Sequence, residues 1–234
     1  MATLQGCKSI AVKAQPAAEQ STYYLGGTQV IVSATANVVS IRPENLTFPS
    51  DEKPTFSVTA MNGQQIPLDF STENISARLN GSPVHVLTYE ELVKEVETQA
   101  AIETLAAAMS SVGRSMEAAR AGHQYQYTYA PIGAGYYPTT VHTYNAEAAQ
   151  QAQSAARSQT NADFQRIQTQ TDSAMAALNT TIMRRQTVFP GASHGGYVKL
   201  EPISLAEGAN TLSITVEFGG ENHEFTFALS EAED

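Results

Sequence analysis

The chain is 234 residues long, 42% hydrophobic and only 15% charged, with a formal net charge of −10. This length can bury a sizeable core and falls between one elaborated domain and two small ones; polarity comes from Thr, Ser, Gln and Asn more than from charge. The acidity, with no basic run anywhere, excludes nucleic acid as a partner, because phosphate binding needs clustered Lys and Arg.

At the N-terminal end, Cys7 is the single cysteine, so an internal disulfide is excluded. It stands in Leu4-Gln5-Gly6-Cys7, which resembles the lipobox of bacterial envelope lipoproteins. The resemblance implies lipid attachment at Cys7 and a place in the bacterial cell envelope, at the periplasmic face or the surface of the outer membrane, with secretion as the alternative. Only Met1–Thr3 precede the motif, so the charged and apolar signal region is expected upstream of Met1. Lys8–Ser21 is polar, with Ala and Gln, and residues 1–22 read as a flexible tether. No apolar run approaches the roughly 18 residues that a membrane-spanning helix needs.

From Tyr23 to Leu87 the texture is short, β-branched and alternating. Val30 and Val32 alternate within Gln29–Thr35, Val38–Ile41 follows, and Phe56, Val58 and Ala60 alternate within Thr55–Met61. Asn62-Gly63 is a strong short hairpin signal, with Gln65–Phe70 expected to return as the paired strand. Asn80-Gly81 predicts a second hairpin between Ile75–Leu79 and Pro83–Leu87.

The period changes at Thr88. Thr88-Tyr89-Glu90-Glu91 is a capping box that starts a helix, and Gly122 supplies a natural stop. Between them Leu92, Val96, Leu105, Met109, Val112 and Met116 recur largely at steps of three and four. A second helical run from about Asn145 to Gln186 carries Phe164, Ile167, Thr171, Ala174, Leu178 and Ile182 in the same rhythm, and Arg184-Arg185 suit a helix C-terminus. Each stripe is expected to bury the other, as in an antiparallel coiled-coil hairpin.

Strand texture resumes with Thr187–Pro190, Tyr197–Leu200, Thr211–Phe218 and His223–Leu229. This closing pattern, with Phe189-Pro190-Gly191 before a Gly-led strand, resembles the last strands of immunoglobulin-like domains common in bacterial lipoproteins. The expected fold class is α+β: a mostly antiparallel immunoglobulin-like β-sandwich interrupted by a long helical hairpin insertion. The sandwich is assigned to residues 23–87 plus 187–234 and the insertion to 88–186, with a tip at 123–144.

Candidate chemistry concentrates in that tip. Tyr125, Tyr127, Tyr129, Tyr136, Tyr137 and Tyr144 crowd the segment joining the helices, in period-two runs on either side of Pro131–Gly135. Tyrosine offers a rigid contact area with a polar handle, so these six are the expected partner-binding residues; closure of an exposed end is the competing use. If the tip pairs symmetrically, His123 and His142 face each other, but two ligands do not make a zinc site and no metal is assigned. Gly191-Ala192-Ser193-His194-Gly195 spells a nucleophile-elbow pattern yet leads into a strand, where the chemistry needs a helix, so no catalytic residue is assigned. The Asn-x-Ser/Thr triplets at Asn45, Asn74 and Asn179 matter only on a eukaryotic secretory route.

The functional expectation is a non-enzymatic envelope or surface-assembly protein without a cofactor. Its expected partners are other envelope proteins or further copies of itself. The alternative is a glycan- or peptidoglycan-binding module acting through the tyrosine tip or the sandwich.

Overall fold

The computed structural model describes residues 9–132 and 135–232, with the backbone alone described over 124–141. Cys7 and the lipobox-like residues before it lie outside the described residues. The strands before the first helix are β1 (Ser9–Gln15), β2 (Ser21–Leu25), β3 (Thr28–Ala34), β4 (Val38–Pro43), β5 (Thr47–Pro49), β6 (Thr55–Met61), β7 (Leu68–Phe70), β8 (Ile75–Leu79), β9 (Ser82–Val84) and β10 (Val86–Leu87). There follow α1 (Tyr89–Ala121), β11 (His123–Ile132), β12 (Gly135–Tyr144), α2 (Ala146–Thr181), β13 (Gln186–Val188), β14 (Ser193–Leu200), β15 (Asn210–Phe218) and β16 (Glu221–Glu231). The chain divides into two compact units, residues up to Val93 with Ala177 onward, and Lys94–Ala176.

The first unit is two six-stranded sheets, ordered β5-β1-β16-β15-β8-β9 and β10-β14-β6-β4-β3-β2, with a small β7-β13 pair. The pairings of both sheets are antiparallel, and strands from before and after the helices are neighbours: β14 lies between β6 and β10, and β15 between β8 and β16. Alternation decides which side chains go inward. Leu212, Ile214, Val216 and Phe218 of β15, and Phe225, Phe227 and Leu229 of β16, share one buried cluster with Ile31, Val39, Ile41, Phe56, Val58 and Leu200 of the other sheet. Phe56 and Phe227 bridge the sheets with ring centroids 5.0 Å apart, so the two layers form a sandwich around one core.

Two sequence expectations are corrected here. Ser9–Gln15, assigned to the tether, is a strand: it pairs with β16 from Ile10↔Glu231 to Gln15↔Thr226 and with β5 on its other edge. Its alternating Ile10 and Val12 are buried, and this short period-two pattern is masked in the sequence by polar neighbours. Asn62-Gly63 does not close a hairpin, since β6 pairs with β4 and β14 while β7 pairs with β13. Instead Asn62 is fully buried and its amide donates to the carbonyls of Ile66 and Val188, at 2.7 and 2.8 Å. Asn80-Gly81 does behave as read: both residues have positive φ, 51° and 83°, as a tight two-residue turn demands, and Leu79 pairs with Ser82. An added Cβ on Gly196 would lie 2.8 Å from the Met183 backbone, whose N–H donates to the Tyr197 carbonyl, so the chain leaving α2 lies against β14 at backbone distance.

One end of the sandwich is tied by polar groups. The Glu221 carboxylate accepts from the backbone N–H groups of Ala36 and Asn37 and from the Asn37 side-chain amide, at 3.1, 3.0 and 2.7 Å. Burial works against its charge, but these amides outweigh it and hold the pKa below the usual glutamate value. Beside it, His223 is 1% exposed, with Nδ1 at 2.9 Å from the Ser33 hydroxyl. Burial depresses its pKa below the ordinary 6.5, against the smaller opposing pull of Glu221. In the unfolded chain this imidazole takes a proton near 6.5, whereas the folded state resists it, so the unfolded state binds more protons in that range. Stability is therefore fully present above pH 6.5 and falls as pH drops below it, before the Glu221 contribution is lost below its own ordinary value of 4.5. Thermal melts of His223→Gln, which keeps a polar group beside Ser33 but cannot titrate, should show a flatter decline between pH 7 and 5 than the parent chain; an unchanged slope would place the proton uptake elsewhere.

In the second unit α1 and α2 run antiparallel. Arg114 reaches from α1 to the Asp163 carboxylate at 2.8 Å and to the Thr160 hydroxyl at 3.5 Å. Both ends of this ion pair are partly shielded, so it serves as a register pin more than as a surface decoration. Along α2 the shielded positions include Ala149, Ala152, Ala156, Thr160, Asp163, Ile167, Thr171, Ala174 and Leu178, which advance by threes and fours; Ile167, Thr171, Ala174 and Leu178 lie where expected, but Phe164 is 37% exposed and Asp163 takes its place on the stripe. On α1, Leu92 and Val96 are shielded as expected, and beyond them the shielded positions are Ala100, Glu103, Ala107, Ala108, Ser111, Arg114 and Ala118. Leu105, Met109, Val112 and Met116, expected at the seam, point away from α2 and are 60% exposed or more. The face that α1 gives to α2 is small and polar, and the two helices meet through Ala and the Arg114 pin. Among the described residues, no helix is long and apolar enough to cross a membrane.

Candidate functional site

The helices are joined by a two-stranded ribbon, and its entry is set by close packing. An added Cβ on Gly122 would come within 2.7 Å of the Tyr144 ring and 2.8 Å of the Ala149 Cβ, so only glycine fits. Its φ is not left-handed, which replaces the expected cap role with a steric one. The Gly122 carbonyl accepts from the Asn145 N–H at 2.8 Å, and the Asn145 side chain in turn caps α2 by accepting from the Ala148 N–H at 3.0 Å. At the other end of α1, the Thr88–Glu91 capping box forms as expected: Glu91 N–H donates to Thr88 Oγ1 at 3.2 Å, and Thr88 N–H to Glu91 Oε2 at 2.8 Å.

Strands β11 and β12 pair antiparallel from His123↔Tyr144 to Ile132↔Gly135. Directly paired residues share a face, and faces alternate along each strand. The register Tyr125↔His142, Tyr127↔Thr140, Tyr129↔Pro138 and Pro131↔Tyr136 therefore puts the positions of Tyr125, Tyr127, Tyr129, Tyr136 and Tyr144 on one face. That face also carries His123 and His142. The opposite face holds Gln124, Gln126, Thr128 and Ala130 against Thr143, Val141, Thr139 and Tyr137. Tyr137 is thus separated from the other five tyrosines. With about 3.4 Å per residue, alternate tyrosines on β11 recur roughly every 7 Å along a ribbon over 30 Å long.

At the base of the aromatic face, His123 and His142 do not pair directly but sit on a diagonal, because His123 lies opposite Tyr144. His123 Nδ1 and His142 Nε2 are 2.8 Å apart, a hydrogen bond in which one nitrogen donates. The imidazoles stack at 5.0 Å with 22° between planes, and His123 also meets the Tyr144 ring at 5.2 Å. All three are exposed. Among the described residues no group of three or more His, Cys, Asp or Glu is placed to hold a metal ion.

The other sequence candidates are placed in structural roles. His194 Nε2 donates to the Arg184 carbonyl at 3.0 Å, and Ser193 opens strand β14, not a helix. Asn74 completes a capping box with Ser71, and the Asn179 side chain accepts from the Tyr89 hydroxyl at 2.6 Å. Helix α2 ends at Thr181, before the arginines expected at its C-terminus. Arg185 pairs instead with Asp69 at 3.1 Å, and Arg184 lies 4.7 Å above the Tyr89 ring. The feature that sequence reading missed is the outward stripe of α1. Its signal is the heptad-like rhythm itself, which the sequence alone places at the inner seam.

Comparison with known protein families, with characterised proteins and with solved structures finds no match to this chain.

Proposed function

We propose that this chain is a non-enzymatic assembly protein of the bacterial cell envelope, lipid-anchored through Cys7, with an immunoglobulin-like sandwich as base and a coiled-coil hairpin inserted at 88–186 as arm. The aromatic face of the ribbon is its contact surface for another envelope or surface protein. The register of β11 and β12 carries this reading: it gathers the positions of Tyr125, Tyr127, Tyr129, Tyr136 and Tyr144 on one face and leaves Tyr137 as the single tyrosine of the other, a two-sidedness that mere closure of a hairpin end does not require. Aromatic anchors of this type supply much of the binding energy at protein interfaces. The strand context of Ser193 and the commitment of His194 to a backbone carbonyl speak against a hydrolase.

The alternative partner is a glycan, because a row of phenol rings at even spacing also suits sugar faces. Capture of solubilised native envelope proteins, and separately of purified peptidoglycan, by the intact chain and its variants distinguishes the two. Tyr127→Ser with Tyr129→Ser should weaken capture by about 30-fold or more, equivalent to about 2 kcal/mol. Tyr137→Ser, on the opposite face, should leave it unchanged, and neither change should move the melting temperature by more than a few degrees. Equal loss from both faces would overturn the assignment of the surface, and binding to peptidoglycan alone would establish the glycan reading.

A further inference from the structure

On α1, Ile102, Leu105, Met109, Val112 and Met116 are 58, 63, 70, 60 and 61% exposed. Their spacing, three, four, three and four residues, is that of the a and d positions of a coiled coil, sustained over about 20 Å of helix. The flanking positions that a close partner would meet are Ala101, Ala106, Ala108, Gly113 and Ser115, with no charge among them. Half a turn of rotation about the helix axis would have buried this stripe against α2, yet the Ala100–Ala107–Ala118 face is held there, pinned by Arg114 to Asp163. The larger apolar face of α1 is thereby left outside the pair. A scattered exposed Leu needs no explanation, but a continuous heptad seam does.

We propose that this stripe is a homodimer seam, in which α1 packs antiparallel against α1 of a second copy of the chain. The inference extends the reading of the arm as an assembly element and names the surface and the partner. Three features select a second copy. No charge on the four central layers or the flanks beside them asks for a complementary partner, and none there repels an identical one; Arg120 beside Ala119 lies at the end of the seam. At about 100 Å² for each of the five side chains, two copies would remove on the order of 1,000 Å² before the flanks are counted, the size at which a specific interface begins. Laid antiparallel, with a positions opposite d positions, the layers become Leu105 against Met116 and Met109 against Val112, with Ile102 against the exposed Ala119. Every layer is apolar, Met109 and Ile102 meet the shorter Val112 and Ala119, and antiparallel helix dipoles attract. The seam is isologous, so it closes as a dimer and does not propagate.

The test uses the full chain in analytical ultracentrifugation. A concentration-dependent dimer is expected, and Met109→Glu, which sets a carboxylate in a central layer of each copy, should weaken it at least 100-fold without changing the circular dichroism spectrum. Leu105→Ser with Val112→Ser guards against a folding defect peculiar to the glutamate. Orientation is read from spin-label distances in a Cys7→Ser background. Labels at Glu97→Cys should lie about 40 Å apart across the dimer and those at Ser110→Cys about 20 Å or less, from a rise of 1.5 Å per residue. A monomer at all concentrations, a dimer indifferent to both seam variants, or equal distances at the two label sites would overturn the proposal. Because Tyr127→Ser with Tyr129→Ser leaves this seam intact, a monomeric chain that still captures its envelope partner would sink the dimer alone, and a dimer that captures nothing would sink the tip alone.

Discussion

Removing residues 1–15 is expected to cost about 4 to 6 kcal/mol more than removing residues 1–8 alone, and to leave little folded protein. The difference is β1. Its Ile10 and Val12 are 2% and 6% exposed, and burial of each is worth about 1.5 to 3 kcal/mol. The strand also fills the space between β16 and β5, so its loss opens the edge of β16 along six paired residues, Thr226 to Glu231, and detaches β5 with the buried Phe48. Urea denaturation of the two truncations measures the contrast, and hydrogen exchange at β16 localises it. If the shorter chain unfolds at the same urea concentration as the intact one, β1 adds nothing and residues 9–15 behave as the tether that their composition suggests.

Gly63→Ala should destabilise the chain by roughly 3 kcal/mol or more, far beyond the usual effect of a loop substitution. A methyl on Gly63 would sit 1.9 Å from the Ala36 carbonyl oxygen, a backbone atom that cannot turn aside, and Gly63 N–H donates to the buried Asn37 side chain at 3.1 Å. Relief would move the loop that follows β3, and with it the hydrogen bonds from Ala36 and Asn37 to Glu221. Gly81→Ala provides the comparison. Its φ of 83° strains any other residue, but no atom lies within 4 Å of the added carbon, so about 1 kcal/mol is expected. Equal effects in thermal melts would mean that the approach of the two loops relaxes freely.

Local patterns carried much of this fold in advance. Alternation in Thr211–Phe218 and His223–Leu229 was sufficient to find β15 and β16, because both strands bury one full face. The Thr88 capping box and Asn80-Gly81 acted as read, since each works through atoms only three residues apart or fewer. The tyrosine cluster was visible, but its division into faces needed the pairing register, which separates Tyr137 from the others. The β1 strand is not legible in the sequence because its apolar residues number only a few and the strand it pairs with along most of its length, β16, is more than 200 residues away.

What the sequence by itself determined is periodicity: where side chains repeat every two residues and where every three or four, and hence both long helices and most of the strands. It did not determine which neighbour each face meets. Helix α1 carries two stripes at helical spacing, one of Ala, Ser and Arg and one of Ile, Leu, Met and Val, and hydrophobicity alone assigns the second to the interior. Only the tertiary structure decided for the first, through the Arg114 to Asp163 contact and the close approach of small residues. The same holds for Gly63 and Gly122, which read as turn or cap residues but stand where two pieces of chain meet too closely for a side chain. Contact between distant segments depends on the three-dimensional path of the chain, and no local pattern encodes that path.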